Sequence, residues 1–130
     1  MDEKESKVNF TFGKKFTVLV AEDLDTNFKL VKYLLESLGF LVIRANNGKE
    51  AVEKHLEHPE VDFIMMDLKM PVMDGLTATR EIRKINSKIP IIAQTAYIDD
   101  KQAAFDAGCS AFLSKPFDKK KLSETIRKFV

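Results

Sequence analysis

Five times in succession a short apolar run gives way to a segment of helical spacing, and few architectures accommodate that alternation. The runs are Thr17–Ala21, Leu41–Ala45, Phe63–Met66, Ile91–Gln94 and Ala111–Leu113. They read as continuous apolar stretches rather than as alternating ones, which suits strands buried on both faces. Between them, Phe28, Val31, Leu35 and Leu38 recur at helical spacing, with Asp25 as a candidate cap and Gly39 as the stop. Asn47-Gly48-Lys49-Glu50 resembles a capping box opening a second helix, with Val52 and Leu56 expected inward, and Pro59 follows its end. A third helix runs from about Leu76 to Ile85, with Ala78, Ile82 and Ile85 inward. Asp99 with Gln102 is expected to cap a short fourth helix that stops at Gly108. Asp118 caps a fifth, with Leu122, Ile126 and Phe129 on one face. The implied fold class is α/β: a doubly wound, five-stranded parallel sheet in the order 2-1-3-4-5, with five helices on both faces.

Val8–Phe12 also alternates apolar and polar residues. In that order strand 1 has neighbours on both sides, so this segment reads as a linker rather than a sixth strand. Residues 1–15 are therefore read as an N-terminal tail or linker and residues 16–130 as one domain, a size that 130 residues can build around a single core. A net charge of +1 gives no reason to expect direct nucleic-acid or membrane binding. The single Cys109 excludes an internal disulfide and, with two histidines, a Cys/His zinc site. No run approaches the ~20 apolar residues of a membrane span, so a cytoplasmic setting is expected.

In an open parallel sheet, ligands gather at the carboxyl ends of the strands. Four of the five strands here end in a chemically useful group: Glu22-Asp23, Asp67, Thr95 and Lys115. Strand 2 ends in Ala45-Asn46, away from the switch point. Asp67 closes an apolar run and precedes a loop stiffened by Pro71 and turned by Asp74-Gly75. Three converging carboxylates repel one another unless neutralised, and all-oxygen surroundings of high charge favour a hard divalent cation, Mg²⁺ foremost with Mn²⁺ as an alternative. A carboxylate attacks a phosphoryl group poorly because both are anionic; a divalent cation and a lysine remove that repulsion. The chemistry read from the residues is in-line phosphoryl transfer to Asp67, giving an aspartyl phosphate.

VLVAEDLDTN, MMDLKMPVMDG, AQTAY and LSKPF, each at its place in the alternation, closely resemble the receiver domain of two-component response regulators, from about Phe16 to Val130. The resemblance implies Asp67 as phosphoacceptor. Asp23 would be a direct Mg²⁺ ligand, Glu22 would act mostly through water, and the Lys69 backbone carbonyl would complete the coordination. Lys115 would pair with the phosphoryl oxygens, and Lys115-Pro116 would be a cis peptide. Thr95 would hydrogen-bond a phosphoryl oxygen, and Phe112 would turn inward as Thr95 shifts. Lys69 and Tyr97 sit where the family tunes hydrolysis, and shielding by Tyr97 would give a fairly long-lived phosphorylated state. Glu22 departs mildly from the aspartate commoner in the acidic pair. The donor would be a histidine kinase or a histidine phosphotransfer protein. A phosphorylation-dependent dimer is compatible with the resemblance. The LKMPVMDGLTATREIR stretch looks most like receivers attached to hybrid histidine kinases.

Such a domain is a switch rather than an enzyme acting on a separate substrate, although it catalyses its own phosphorylation and slow dephosphorylation. A flavodoxin-like cofactor binder would need a phosphate loop where Glu22-Asp23 stand. A phosphatase with an aspartyl nucleophile would want a second acid where Lys69 stands. A receiver-like scaffold that only binds partners is the remaining alternative. His55 and His58 read as half-exposed surface residues, Lys119-Lys120-Lys121 as a solvated helix start and Cys109 as small core filling.

Overall fold

The computed structural model describes residues 15–130, so the Val8–Phe12 segment lies outside the described residues. The elements are β1 (Thr17–Ala21), α1 (Asp25–Ser37), β2 (Leu41–Ala45), α2 (Gly48–Glu57), β3 (Phe63–Asp67), α3 (Gly75–Ile85), β4 (Ile91–Thr95), a 3₁₀ turn (Ile98–Asp100), α4 (Lys101–Ala107), β5 (Ala111–Ser114) and α5 (Lys119–Ile126). All four pairings are parallel and the order is β2-β1-β3-β4-β5, as the alternation of the sequence implies.

Every residue of β3 and β4 is buried, because helices cover both faces of the sheet. Val18, Val20, Phe63, Met65, Ile92 and Leu113 face α1 and α5. Leu19, Ile64, Met66, Ile91 and Ala93 face α2, α3 and α4. Each large, fully buried side chain such as Phe63 contributes about 1.5–3 kcal/mol to folding.

The helix boundaries follow local chemistry. Asn47, Asp74 and Asp118 each accept a backbone N–H three residues on, from Glu50, Thr77 and Lys121. Glu50 returns a carboxylate to the Asn46 N–H at 3.0 Å, one residue earlier than a regular capping box requires. Gly108 ends α4 in the left-handed region at φ 114°.

Several expectations are corrected. The inner face of α2 is Gly48, Ala51 and His55, while Leu56 is exposed and Val52 is only partly covered. A Cβ on Gly48 would collide with the Met73 carbonyl oxygen, so the close approach of this helix to the β3–α3 loop favours its small residues inward. His55 is accordingly buried rather than half-exposed, and burial, then the nearby Arg83 charge, hold its pKa below the ordinary imidazole value. His58 is half-exposed beside Glu60. Ile85 is exposed, because it sits at the last turn of α3 beyond the end of the core stripe. Asp99 does not cap α4: a 3₁₀ turn precedes that helix, Asp100 occupies the cap position without a side-chain bond, and Gln102 bonds Asp106 instead. Asp25 does not cap α1, whose cap position is Leu24; its carboxylate pairs with Arg44 at 2.8 Å.

Candidate functional site

The carboxyl ends of β1, β3 and β5 bring Glu22, Asp67 and Lys115 into contact. Lys115 Nζ lies 2.7 Å from Glu22 Oε1 and 3.2 Å from Asp67 Oδ2. Glu22 is fully buried and Asp67 nearly so. Asp23 completes an acidic group whose candidate ligand atoms all lie within 4.8 Å of one another. This donor set fits a hard divalent cation: three carboxylates face one ammonium, with no nitrogen or sulfur ligand among them. The electrostatics follow from this crowding and burial. Burial, reinforced by Asp67, raises the Glu22 pKa above its ordinary value even though Lys115 pulls the other way. For Lys115, burial pushes downward, but the Glu22 hydrogen bond and the charges of Asp67 and Glu22 outweigh it and leave the ammonium pKa raised.

The loop after β3 is shaped to present Asp67. The Lys69 N–H donates to Asp67 Oδ1 at 3.1 Å, which sets the Lys69 backbone against the carboxylate. The Met73 N–H donates to the Pro71 carbonyl at 2.7 Å around Val72, whose φ is +69°. That is a γ-turn of the rare, strained hand, adopted here by a β-branched residue. Gly75 then starts α3 so close to β3 that a Cβ would collide with the Asp67 carbonyl oxygen. The turn glycine is therefore required by contact with the strand that carries Asp67.

Thr95 ends β4, almost fully buried, with its hydroxyl accepting the Tyr97 N–H at 3.2 Å. Phe112 lies beside Ala93 in the sheet, half-buried against the core under α2–α4. Thr95 shares that face by alternation. Tyr97 is exposed at the rim with Lys69 Nζ 5.7 Å from its ring centroid, and the same ammonium lies 3.6 Å from Asp100. The Lys115-Pro116 peptide is cis. Beside Lys115, a recess of about 350 Å³ is lined by Leu30, Leu34, Pro116 and Phe117, with Asn27 and Lys115 as its polar members.

The structure brings Glu22, Asp23, Asp67 and Lys115 together, with the Lys69 N–H on Asp67, while Thr95 and Tyr97 stand at the end of β4 and Phe112 lies mid-strand beside Ala93. The sequence reading missed Arg44. It lies on edge strand β2, which was expected to stand apart, but its guanidinium donates to the Glu22 carbonyl at 3.2 and 3.1 Å and to the Asp23 carbonyl at 3.3 Å. The group also stacks 4.4 Å from the Phe28 ring centroid. Arg44 so fixes the backbone that carries both acids. An arginine penultimate in an otherwise apolar strand was the available signal.

Residues 18–127 match the profile of the response regulator receiver domain. The chain is 35% identical over 118 residues to the polar-differentiation response regulator DivK of Brucella anthropi, covering 88% of this chain and 95% of that protein. It is 40% identical over 119 residues to the hybrid signal transduction histidine kinase I of Dictyostelium discoideum, covering 84% of this chain but 7% of that much longer protein. Among solved structures it resembles the receiver domain of a Pseudomonas aeruginosa sensor histidine kinase with magnesium coordinated in its active-site cleft (TM-score 0.82, 34% identity, 89% of this chain and 98% of that one). It also resembles a Saccharomyces cerevisiae receiver domain crystallised with its histidine phosphotransfer protein (TM-score 0.81, 29% identity, 88% of each chain). With these matches, the five-stranded fold and the converging acids, the chain belongs to the receiver domain family of two-component signalling.

Proposed function

We propose that Asp67 accepts a phosphoryl group from a phosphohistidine on a kinase or phosphotransfer protein. A carboxylate oxygen of Asp67 attacks phosphorus, the P–N bond to the donor breaks, and the imidazole leaves with the bond's electron pair. The observation that carries this reading is the contact of Lys115 with both Glu22 and Asp67 at the mouth of the acidic group. Lys115 can follow the incoming charge because its ammonium already bridges two carboxylates. Glu22, Asp23, Asp67 and the Lys69 carbonyl would hold Mg²⁺, which when bound neutralises charge on the acids and on the phosphoryl oxygens.

The Thr95 hydroxyl, now bonded to the Tyr97 N–H, would turn to donate to a phosphoryl oxygen. Phe112, half-buried against the same sheet face, would follow it inward and carry the change to the surface formed by α4, β5 and α5. The domain then acts as a switch, catalysing its own phosphorylation and slow hydrolysis without a separate substrate. The apolar recess beside Lys115 suits the docking of a donor helix that brings its histidine to Asp67. No helix among the described residues is long and apolar enough to cross a membrane; a cytoplasmic setting is proposed from the partner class.

The test is intact mass after incubation with Mg²⁺ and acetyl phosphate, or with a phosphorylated histidine phosphotransfer protein. Gain of one phosphoryl group, abolished by Asp67→Asn and by a chelator, is expected. No gain from either donor would leave the scaffold reading in its place.

A further inference from the structure

One buried polar side chain has no part in the chemistry above. Gln94, the penultimate residue of β4, is fully buried, and neither its amide oxygen nor its amide nitrogen has a hydrogen-bond partner among the described residues. An apolar residue of similar size would avoid that desolvation cost. In the sheet Gln94 lies between Asp67 on β3 and Leu113 on β5. Met65, Ile92 and Leu113 all face α1 and α5. Alternation therefore sends Asp67, Gln94 and Lys115, each two residues further on, to that same face.

Lys115 follows β5, yet its ammonium reaches Asp67 on β3 and Glu22 at the end of β1. In the order β1-β3-β4-β5 that path crosses β4, and Gln94 is the β4 side chain of that face level with Asp67, where the path ends. An ammonium has three N–H donors, and Lys115 directs two of them, to Glu22 Oε1 and to Asp67 Oδ2. We propose that Gln94 is a positioning residue for phosphoryl transfer: its amide oxygen, unpartnered in this structure, accepts the third N–H of Lys115 as the ammonium swings from Glu22 towards the group arriving on Asp67. Lys115 lies closer to Glu22, at 2.7 Å, than to Asp67, at 3.2 Å, so an opposing acceptor has a bias to correct. A neutral acceptor does this without adding a fourth negative charge to the acids or repelling the phosphoryl group.

The inference rests on the phosphoacceptor reading. Gln94→Met keeps the length of the side chain and removes the amide; Gln94→Leu is a second such variant. Phosphorylation of the full chain by acetyl phosphate is followed by intact mass, alone and with Lys115→Ala, together with the Mg²⁺ half-saturation and the thermal midpoint. The expected result is an about tenfold slower reaction in Gln94→Met, with Mg²⁺ half-saturation unmoved and thermal stability held or raised. In the Lys115→Ala background the same substitution should cost less than about twofold, because its effect passes through the lysine. Unchanged rates in Gln94→Met, a full loss that persists without Lys115, a shifted Mg²⁺ half-saturation, or losses that track falling stability across both variants would each overturn it. If the unsubstituted chain takes no phosphoryl group, the functional reading itself fails; if it does and Gln94→Met matches it, only this inference fails.

Discussion

Replacing Lys115 with methionine keeps most of the side chain's volume and removes one charge. The Lys115 side chain is 19% exposed and Glu22 not at all, so screening by solvent does little for either. Removing one partner of a buried pair strands the other, at a cost of about 3 kcal/mol when the remaining group stays charged. With a urea m-value of about 2 kcal/mol/M for a domain of this size, the midpoint should fall by about 1.5 M at neutral pH. Glu22 has an escape through protonation. Its folded pKa is already raised, by burial first and by Asp67 after that, with Lys115 opposing; without the lysine it rises further. A carboxyl whose folded pKa lies above its unfolded one stabilises the protein below the unfolded value and loses that contribution as pH rises through the folded value. The deficit of Lys115→Met relative to the unsubstituted chain should therefore be wider at neutral than at mildly acid pH, because Glu22 takes a proton as the pH falls. Urea unfolding in chelator at both pH values measures it. A deficit that is equal at both, or absent at both, would refute the reasoning.

Val72→Gly should stabilise the domain by about 1 kcal/mol net, because glycine adopts the +69° φ without strain; the thermal midpoint should rise by about 3–6 °C, and a fall would contradict the strained-turn reading. Arg83 donates to the carbonyls of Gly108, Asn86 and Ile89 and to the Ser110 hydroxyl, tying α3, α4 and the start of β4 together at the end of the sheet away from the acids. Arg83→Met should cost about 3 kcal/mol in denaturant unfolding while Mg²⁺ affinity, read by calorimetry, stays as it was. Tyr97→Ala removes the exposed ring at the Lys69 rim, and should shorten the lifetime of the aspartyl phosphate severalfold when its decay is followed by intact mass.

The architecture was legible because long-range order here follows from a short-range pattern. Continuous apolar runs separated by helical spacing leave one chirality and few strand orders. Glu22, Asp67 and Lys115 could be placed together from sequence because each directly ends or follows a strand, where position along the chain determines position in space. Residues whose effect depends on side-chain reach were not legible in this way. Arg44 lies on an edge strand, and only the direction of its guanidinium across the Glu22-Asp23 backbone reveals its purpose. Gln94 reads as strand filling until its buried, unpartnered amide is seen beneath the path of Lys115. The inner face of α2 departs from its apolar pattern, because the contact of Gly48 with the Met73 carbonyl decides which residues turn inward. The γ-turn at Val72 carried no sequence signal, since valine is among the residues least suited to it.

The central claim concerns one carboxylate among three that lie within reach of one another. Borohydride reduction of the phosphorylated chain converts an aspartyl phosphate into homoserine, and peptide mass mapping then locates the altered residue. The account predicts homoserine at position 67 alone, and its disappearance when Mg²⁺ is withheld during phosphorylation. A reduced product at Asp23 or Glu22, or a phosphorylated chain that yields none, would contradict it.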